Sequence, residues 1–127
     1  MNIAEYFESV KDRLLTDSVV VDFKFLKRVD RSNNGHLRVR IFFSDNSKME
    51  FSEFIEQNTE GEIRLVTYSY HWADTNGNLI CRWDNAPHYP HLENFPHHIH
   101  VSETNITSGK PVNIFEVLDE VALIINK

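Results

Sequence analysis

Five stretches with a two-residue hydrophobic period follow one another in this chain, and only short polar links separate them. Strands joined this closely run antiparallel, because a parallel neighbour needs a crossover of about a dozen residues. In "VVVDFKFLKR", Val19, Val21, Phe23 and Phe25 alternate with Val20, Asp22, Lys24 and Leu26, which predicts a strand with one apolar face. "DRSNNG" supplies an Asn-Gly turn signal. The next strand places Leu37, Val39, Ile41 and Phe43 inward, with His36, Arg38 and Arg40 outward. After "SDNS" comes "KMEFSEF", with Met49 and Phe51 on its core face. "EIRLVTYSYHW" and "NLICRWD" flank "ADTNG", a second hairpin signal.

Helical spacing marks the two ends. Ile3, Tyr6, Phe7, Val10 and Leu14 form one stripe, so residues 2–15 read as an amphipathic helix with Asn2 as N-cap and Glu5 three residues on. Near the C-terminus Asn113 and Glu116 repeat that offset, Val112 and Val117 have staple spacing, and Ile114, Val117, Leu118, Val121 and Ile125 make a buried stripe. The expected fold class is α+β: an antiparallel meander of five to six strands, with an N-terminal and a C-terminal helix packed on one face. The stretch "HHIHV" is the candidate sixth strand, and "TNITSGKP" reads as a polar loop. A chain of 127 residues is expected to form a single domain, 1–127, around one core.

A half-covered sheet leaves its other face open, and the fourth and fifth strands indicate what lies there. If Asn76-Gly77 is a two-residue turn, Thr75 pairs with Asn78, and counting back sets His71 opposite Arg82 and Ser69 opposite Asp84. Tyr70 then pairs with Trp83, and Trp72 with Cys81, on the aromatic face, which reads as core. The polar face carries Thr67, Ser69, His71, Arg82 and Asp84.

That face leads into "RWDNAPHYPHLENFPHHIH", which holds five of the chain's seven histidines. Its prolines lack the amide donor a central strand needs, so Ala86 to Pro96 reads as a loop carrying His88 and His91. In an extended "HHIHV", His98 and His100 share one face while His97 lies on the other, as a hydrogen-bonded structural residue. Three readings of this constellation stay open. Its histidines can be solvated and idle, although Arg, Asp, Asn and Trp in the same segment weaken that reading. They can hold zinc or another divalent transition metal, through His88, His91, His98 and His100. Or they can transfer protons without a metal, since an imidazole with a pKa near ~6.5 both takes and gives a proton at neutral pH. Cleaving RNA at a 2′-hydroxyl needs a base, an acid and a cation for the phosphorane; two histidines with Arg82 suffice, with Asp84 orienting one imidazole.

Composition bounds these readings. The formal charge of −6 argues against a broad basic surface for nucleic acid, but not against a small basic site, and it suits a basic protein partner. Cys81 is the only cysteine and forms no internal disulfide, which fits a reducing cytoplasm. No apolar run approaches the roughly 20 residues a membrane span requires, and the acidic N-terminus resembles no signal peptide.

"YSYHWAD", a turn with Gly77, and "RWDNAPHYPHLENFPHHIHV" together resemble the signature of the TumE-like family of small prokaryotic proteins, regarded as toxins of toxin–antitoxin modules. The resemblance spans nearly the whole chain. It matches Tyr70, His71, Trp72, Arg82, Trp83, Asp84, Asn85, His88, His91, His97, His98 and His100, and departs at His88-Tyr89, where the family pattern reads His-His. It implies a cognate antitoxin, often with a helix-turn-helix domain, that neutralises the toxin by direct binding. RNA cleavage is implied by analogy with other small toxins. The resulting expectation is a cytoplasmic type II toxin, a metal-independent endoribonuclease acting through His71, Arg82, Asp84, His98 and His100. His88, His91, Arg38 and Arg40 are expected to contact substrate, Trp72 and Trp83 to pack, and Asn85 to shape the loop. RNA is the expected substrate, and a homodimer is compatible with the sequence. A metal-binding or protein-binding module without catalysis is the alternative.

Overall fold

The computed structural model describes residues 1–127. In chain order it contains α1 (Ile3–Thr16), β1 (Val20–Asp30), β2 (Asn34–Phe43), β3 (Lys48–Gln57), β4 (Ile63–Ala73), β5 (Leu79–Asp84), β6 (His98–His100), β7 (Ile106–Ser108) and α2 (Ile114–Ile125). The strands form one antiparallel sheet in sequence order, β1 to β7. The architecture is α+β with seven strands, one more than the upper expectation. The unforeseen strand is β7, in the stretch read as a polar loop: Ser108, Thr107 and Ile106 pair with His98, Ile99 and His100. Its residues carry no hydrophobic period, so pairing with β6 alone defines it.

Both helices begin at full capping boxes, Asn2 with Glu5 and Asn113 with Glu116, each reciprocally hydrogen-bonded. Ile3, Phe7, Val10 and Leu14 of α1 and Ile114, Val117, Leu118 and Val121 of α2 are buried in one cluster with the inner sheet face. That face presents Leu37, Val39, Ile41, Phe43, Met49, Phe51, Ile55, Tyr68, Tyr70, Trp72 and Trp83. Alternation also carries Glu53 inward between Phe51 and Ile55, where it is fully buried. It accepts hydrogen bonds from Tyr6 Oη at 2.7 Å, Tyr70 Oη at 2.5 Å and the Ile114 amide at 3.1 Å. One carboxylate therefore joins α1, β3, β4 and the first residue of α2.

Three local expectations are corrected. Val21 is 64% exposed, because the β1–β2 register shifts between Val20 and Asp22 and turns Val21 out of the apolar series. The Asn34-Gly35 dipeptide is not at the turn; Gly35 pairs with Asp30 inside the ladder. A glycine is required there because a Cβ would lie 2.6 Å from Ile3 Cγ2 and 2.9 Å from the Val29 carbonyl oxygen. Gly35→Ala is expected to cost about 1–3 kcal/mol, the range for overpacking, read as a lowered denaturation midpoint. An unchanged midpoint would mean that α1 is less tightly seated.

The third correction concerns the β4–β5 turn. Asp74, not Thr75, faces Asn78, since the Asp74 amide donates to the Asn78 carbonyl; Gly77 takes φ 84°. The loop is one residue longer than expected. A bulge between the Trp72–Cys81 and Ala73–Leu79 pairs restores the register. Beyond it His71 faces Arg82, Tyr70 faces Trp83 and Ser69 faces Asp84, as the sequence predicts.

Candidate functional site

The ladder converts residues far apart in sequence into rows across the open face. Arg40 pairs with Glu50, Glu50 with His71, His71 with Arg82, and Arg82 with His100. The adjacent row on that face runs Arg38, Ser52, Ser69, Asp84 and His98. Neighbouring strands lie about 4.8 Å apart, so His71 and His100 stand on either side of Arg82, about 10 Å apart along the row. A shallow groove of about 280 Å³ crosses here, lined by Arg38, Glu50, Ser52, Ser69, His71 and Arg82 with Phe51.

Asp84 is the hub. Its side chain is only 5% exposed and accepts from Arg82 Nε at 2.8 Å. The Ala86 amide donates to its other oxygen at 3.1 Å. His98 Nε2 lies 2.7 Å from Asp84 Oδ1, and His100 Nε2 lies 3.7 Å from Oδ2. The His98 contact has hydrogen-bond distance without hydrogen-bond direction, and no other partner reaches that buried nitrogen. On the far side of the ring, Nδ1 is 2.9 Å from the Pro96 carbonyl oxygen.

The loop closes over this hub. Asn85 holds its start against β4, accepting from the Tyr68 amide at 2.9 Å and donating to the Val66 carbonyl at 3.0 Å. Tyr89 sits edge-on to His98 and His100, with ring centroids 4.8 and 6.0 Å away. His98 is thereby buried, at 2% exposure, while the His100 side chain keeps 20%. Burial pulls both His71 and His100 below the ordinary imidazole value. Arg82 adds to the depression at His71; at His100 the Asp84 carboxylate opposes it. Both rings are therefore neutral at pH 7.

The structure thus joins Asp84, Arg82, His98 and His100 into one contact network and sets His71 beside Arg82. A family model described as "Toxin TumE" matches residues 10–126. The chain belongs to the TumE toxin family. No curated protein and no solved structure matches it. A toxin of the TumE family is a component of a toxin–antitoxin system, with an antitoxin as its general partner. No helix is long and apolar enough to cross a membrane.

The other expected residues fall outside the hub. His88 and His91 are exposed and meet the edge of Tyr89, at 6.3 and 6.4 Å between centroids. The metal-compatible group that forms is Asp84, His98 and His100, all donor atoms within 4.8 Å. Arg38 and Arg40 both pair with Glu50, at 2.8 and 3.3 Å, so a carboxylate already offsets their charge. Sequence reasoning passed over Glu50 and Tyr89. The alternation of "KMEF" carries the signal for Glu50, one step from inward Met49. Tyr89 has no comparable signal, because only the loop's closure brings it over the histidines.

His97 stacks on Tyr68 and shares a 2.8 Å hydrogen bond with its hydroxyl, a structural role. Trp72 and Trp83 are buried, and Trp72 Nε1 donates to Ser47 Oγ at 2.8 Å. Burial pushes the Cys81 thiol up to about 12, which leaves it a poor nucleophile at neutral pH.

Proposed function

We propose that this chain is the toxin of a type II module and an endoribonuclease that uses histidine acid–base chemistry. One observation carries the reading: His71, Arg82 and His100 occupy one row of the open face, with Arg82 paired to a histidine on each side. In-line transfer at phosphorus needs a base and an acid on opposite sides of the phosphate and a cation beside it. One neutral imidazole takes the 2′-hydroxyl proton as the O2′–P bond forms. The other, whose pKa the bound phosphate raises, gives a proton to O5′ as the P–O5′ bond breaks. A 2′,3′-cyclic phosphate and a free 5′-hydroxyl result. Asp84, held by the Ala86 amide, keeps Arg82 in place, and buried His98 does not meet substrate. His88 and His91 flank the substrate on the loop, and Arg38 and Arg40 reach phosphate only where Glu50 yields. The acidic chain suits an antitoxin with a basic surface.

The test is induced expression of wild type and of a His71→Ala, His100→Ala double variant, with soluble yields matched. Wild type is expected to stop growth and fragment RNA to cyclic-phosphate ends, with activity preserved in EDTA; the double variant is expected to do neither. Equal arrest by both proteins would place toxicity outside this row. Fragments with 5′-phosphate ends would exclude the 2′-hydroxyl route.

A further inference from the structure

We propose that Asp84, His98 and His100 form a binding site for a single divalent transition-metal ion of the zinc, cobalt or nickel class. The argument starts from the unpartnered atom. A carbonyl oxygen only accepts, so the 2.9 Å contact with Pro96 places a hydrogen on His98 Nδ1 and leaves Nε2 as the nitrogen that faces Asp84. That Nε2 lies 2.7 Å from Asp84 Oδ1, buried and without a hydrogen-bond partner. A buried imidazole nitrogen and a carboxylate oxygen this close, with no hydrogen bond between them, are two donor atoms that one cation can share. Arg82 does not supply it, because its Nε is directed to Oδ2.

The surroundings fit an ion. The donor set is two imidazole nitrogens and one carboxylate oxygen, the composition that borderline-soft divalent metals favour. Donor atoms around a tetrahedral zinc are roughly 3.3 Å apart; one donor atom from each of the three residues lies within 4.8 Å of the others, so small side-chain shifts reach that spacing. Metal-binding imidazoles commonly donate their second nitrogen to a carbonyl, which fixes the tautomer, as Pro96 does for His98. Tyr89 shields one side, and partly exposed His100 leaves a route in and a position for water.

The assignment does not rest on the cleavage reading. In that reading metal occupancy and proton transfer exclude each other, since both use His100. The site also differs from the loop quartet, in that Asp84 replaces exposed His88 and His91.

The probe is cobalt(II) added alone to the purified full chain, followed by visible d–d absorption and calorimetry. One cobalt per chain is expected, displaced by zinc. His100→Ala, at a partly exposed position, is expected to weaken binding by more than the ~100-fold that loss of an outer-shell partner costs; Asp84→Asn, checked for folding by circular dichroism, is expected to do the same. A His88→Ala, His91→Ala variant is expected to bind as wild type does. Absence of saturable binding to the folded chain would overturn the proposal, as would binding insensitive to His100 or lost with His88 and His91.

Discussion

A His71→Gln or His100→Gln variant is expected to cleave RNA about 10²–10⁴-fold more slowly than wild type, the range for removing one general acid or base. Neither change should unfold the chain. Both rings lie on the open face and are only partly buried, and glutamine keeps polar capacity at similar length. The informative variant is the double. A base and an acid that serve one transfer act as a unit, so removing the second after the first costs far less than the product of the two single losses. Single-turnover cleavage of a short RNA by all four proteins checks this. Full multiplicative loss would mean that the two histidines serve different steps. A normal rate in either single variant would remove that ring from the chemistry. The readout is separable from metal binding, because His71 is not among the proposed ligands and its loss should leave cobalt binding intact.

What the sequence disclosed about this row came from period and register together. Alternation sorted His71, Arg82 and Asp84 onto one face, and the hairpin signal at Asn76-Gly77 set their pairing. The pairing is correct although the turn is not: the longer loop and the bulge at Ile80 after it shift the register by one residue in opposite senses. Sequence pattern detects the alternation either side of a turn better than the turn itself. The Asn34-Gly35 signal failed for a related reason. Glycine there answers to the approach of α1, a tertiary demand that no local pattern reports. Within the site, the H-x-H spacing of His98 and His100 indicated a shared face, but the difference in their accessibility arises from the loop, whose Tyr89 lies closer to His98 than to His100. Sequence therefore treated His98 and His100 as equals. The structure separates buried His98 against Asp84 from partly exposed His71 and His100 on either side of Arg82, and both from exposed His88 and His91 on the loop.

Glu53 carries the largest expected effect on stability. Glu53→Ala is expected to cost about 4 kcal/mol, because it strips the acceptor from two tyrosine hydroxyls and a helix N-terminal amide inside the core, each worth about 1–3 kcal/mol when left unsatisfied. Glu53→Gln keeps an acceptor and the shape, and isolates the charge. Burial raises the Glu53 carboxyl above its ordinary value, and its three hydrogen bonds oppose the rise without reversing it. Below the unfolded-state value, near 4.5, folded and unfolded chains are both protonated here and the favourable contribution is fully present. As pH rises, the unfolded chain ionises first and gains free energy that the buried group cannot match. Wild type should therefore lose stability relative to Glu53→Gln, by up to ~1.4 kcal/mol per pH unit, until pH passes the raised value in the folded chain. Histidines such as His36, His71, His97 and His100, all depressed by burial, destabilise the fold on the acid side. They are common to both proteins, so their effect cancels in the difference. Denaturant titrations from pH 4.5 upward on the pair measure it directly. A flat difference would mean that Glu53 ionises in the core as readily as in water; a difference favouring wild type as pH rises would mean that the two tyrosines and the α2 N-terminus stabilise the carboxylate more than burial penalises it.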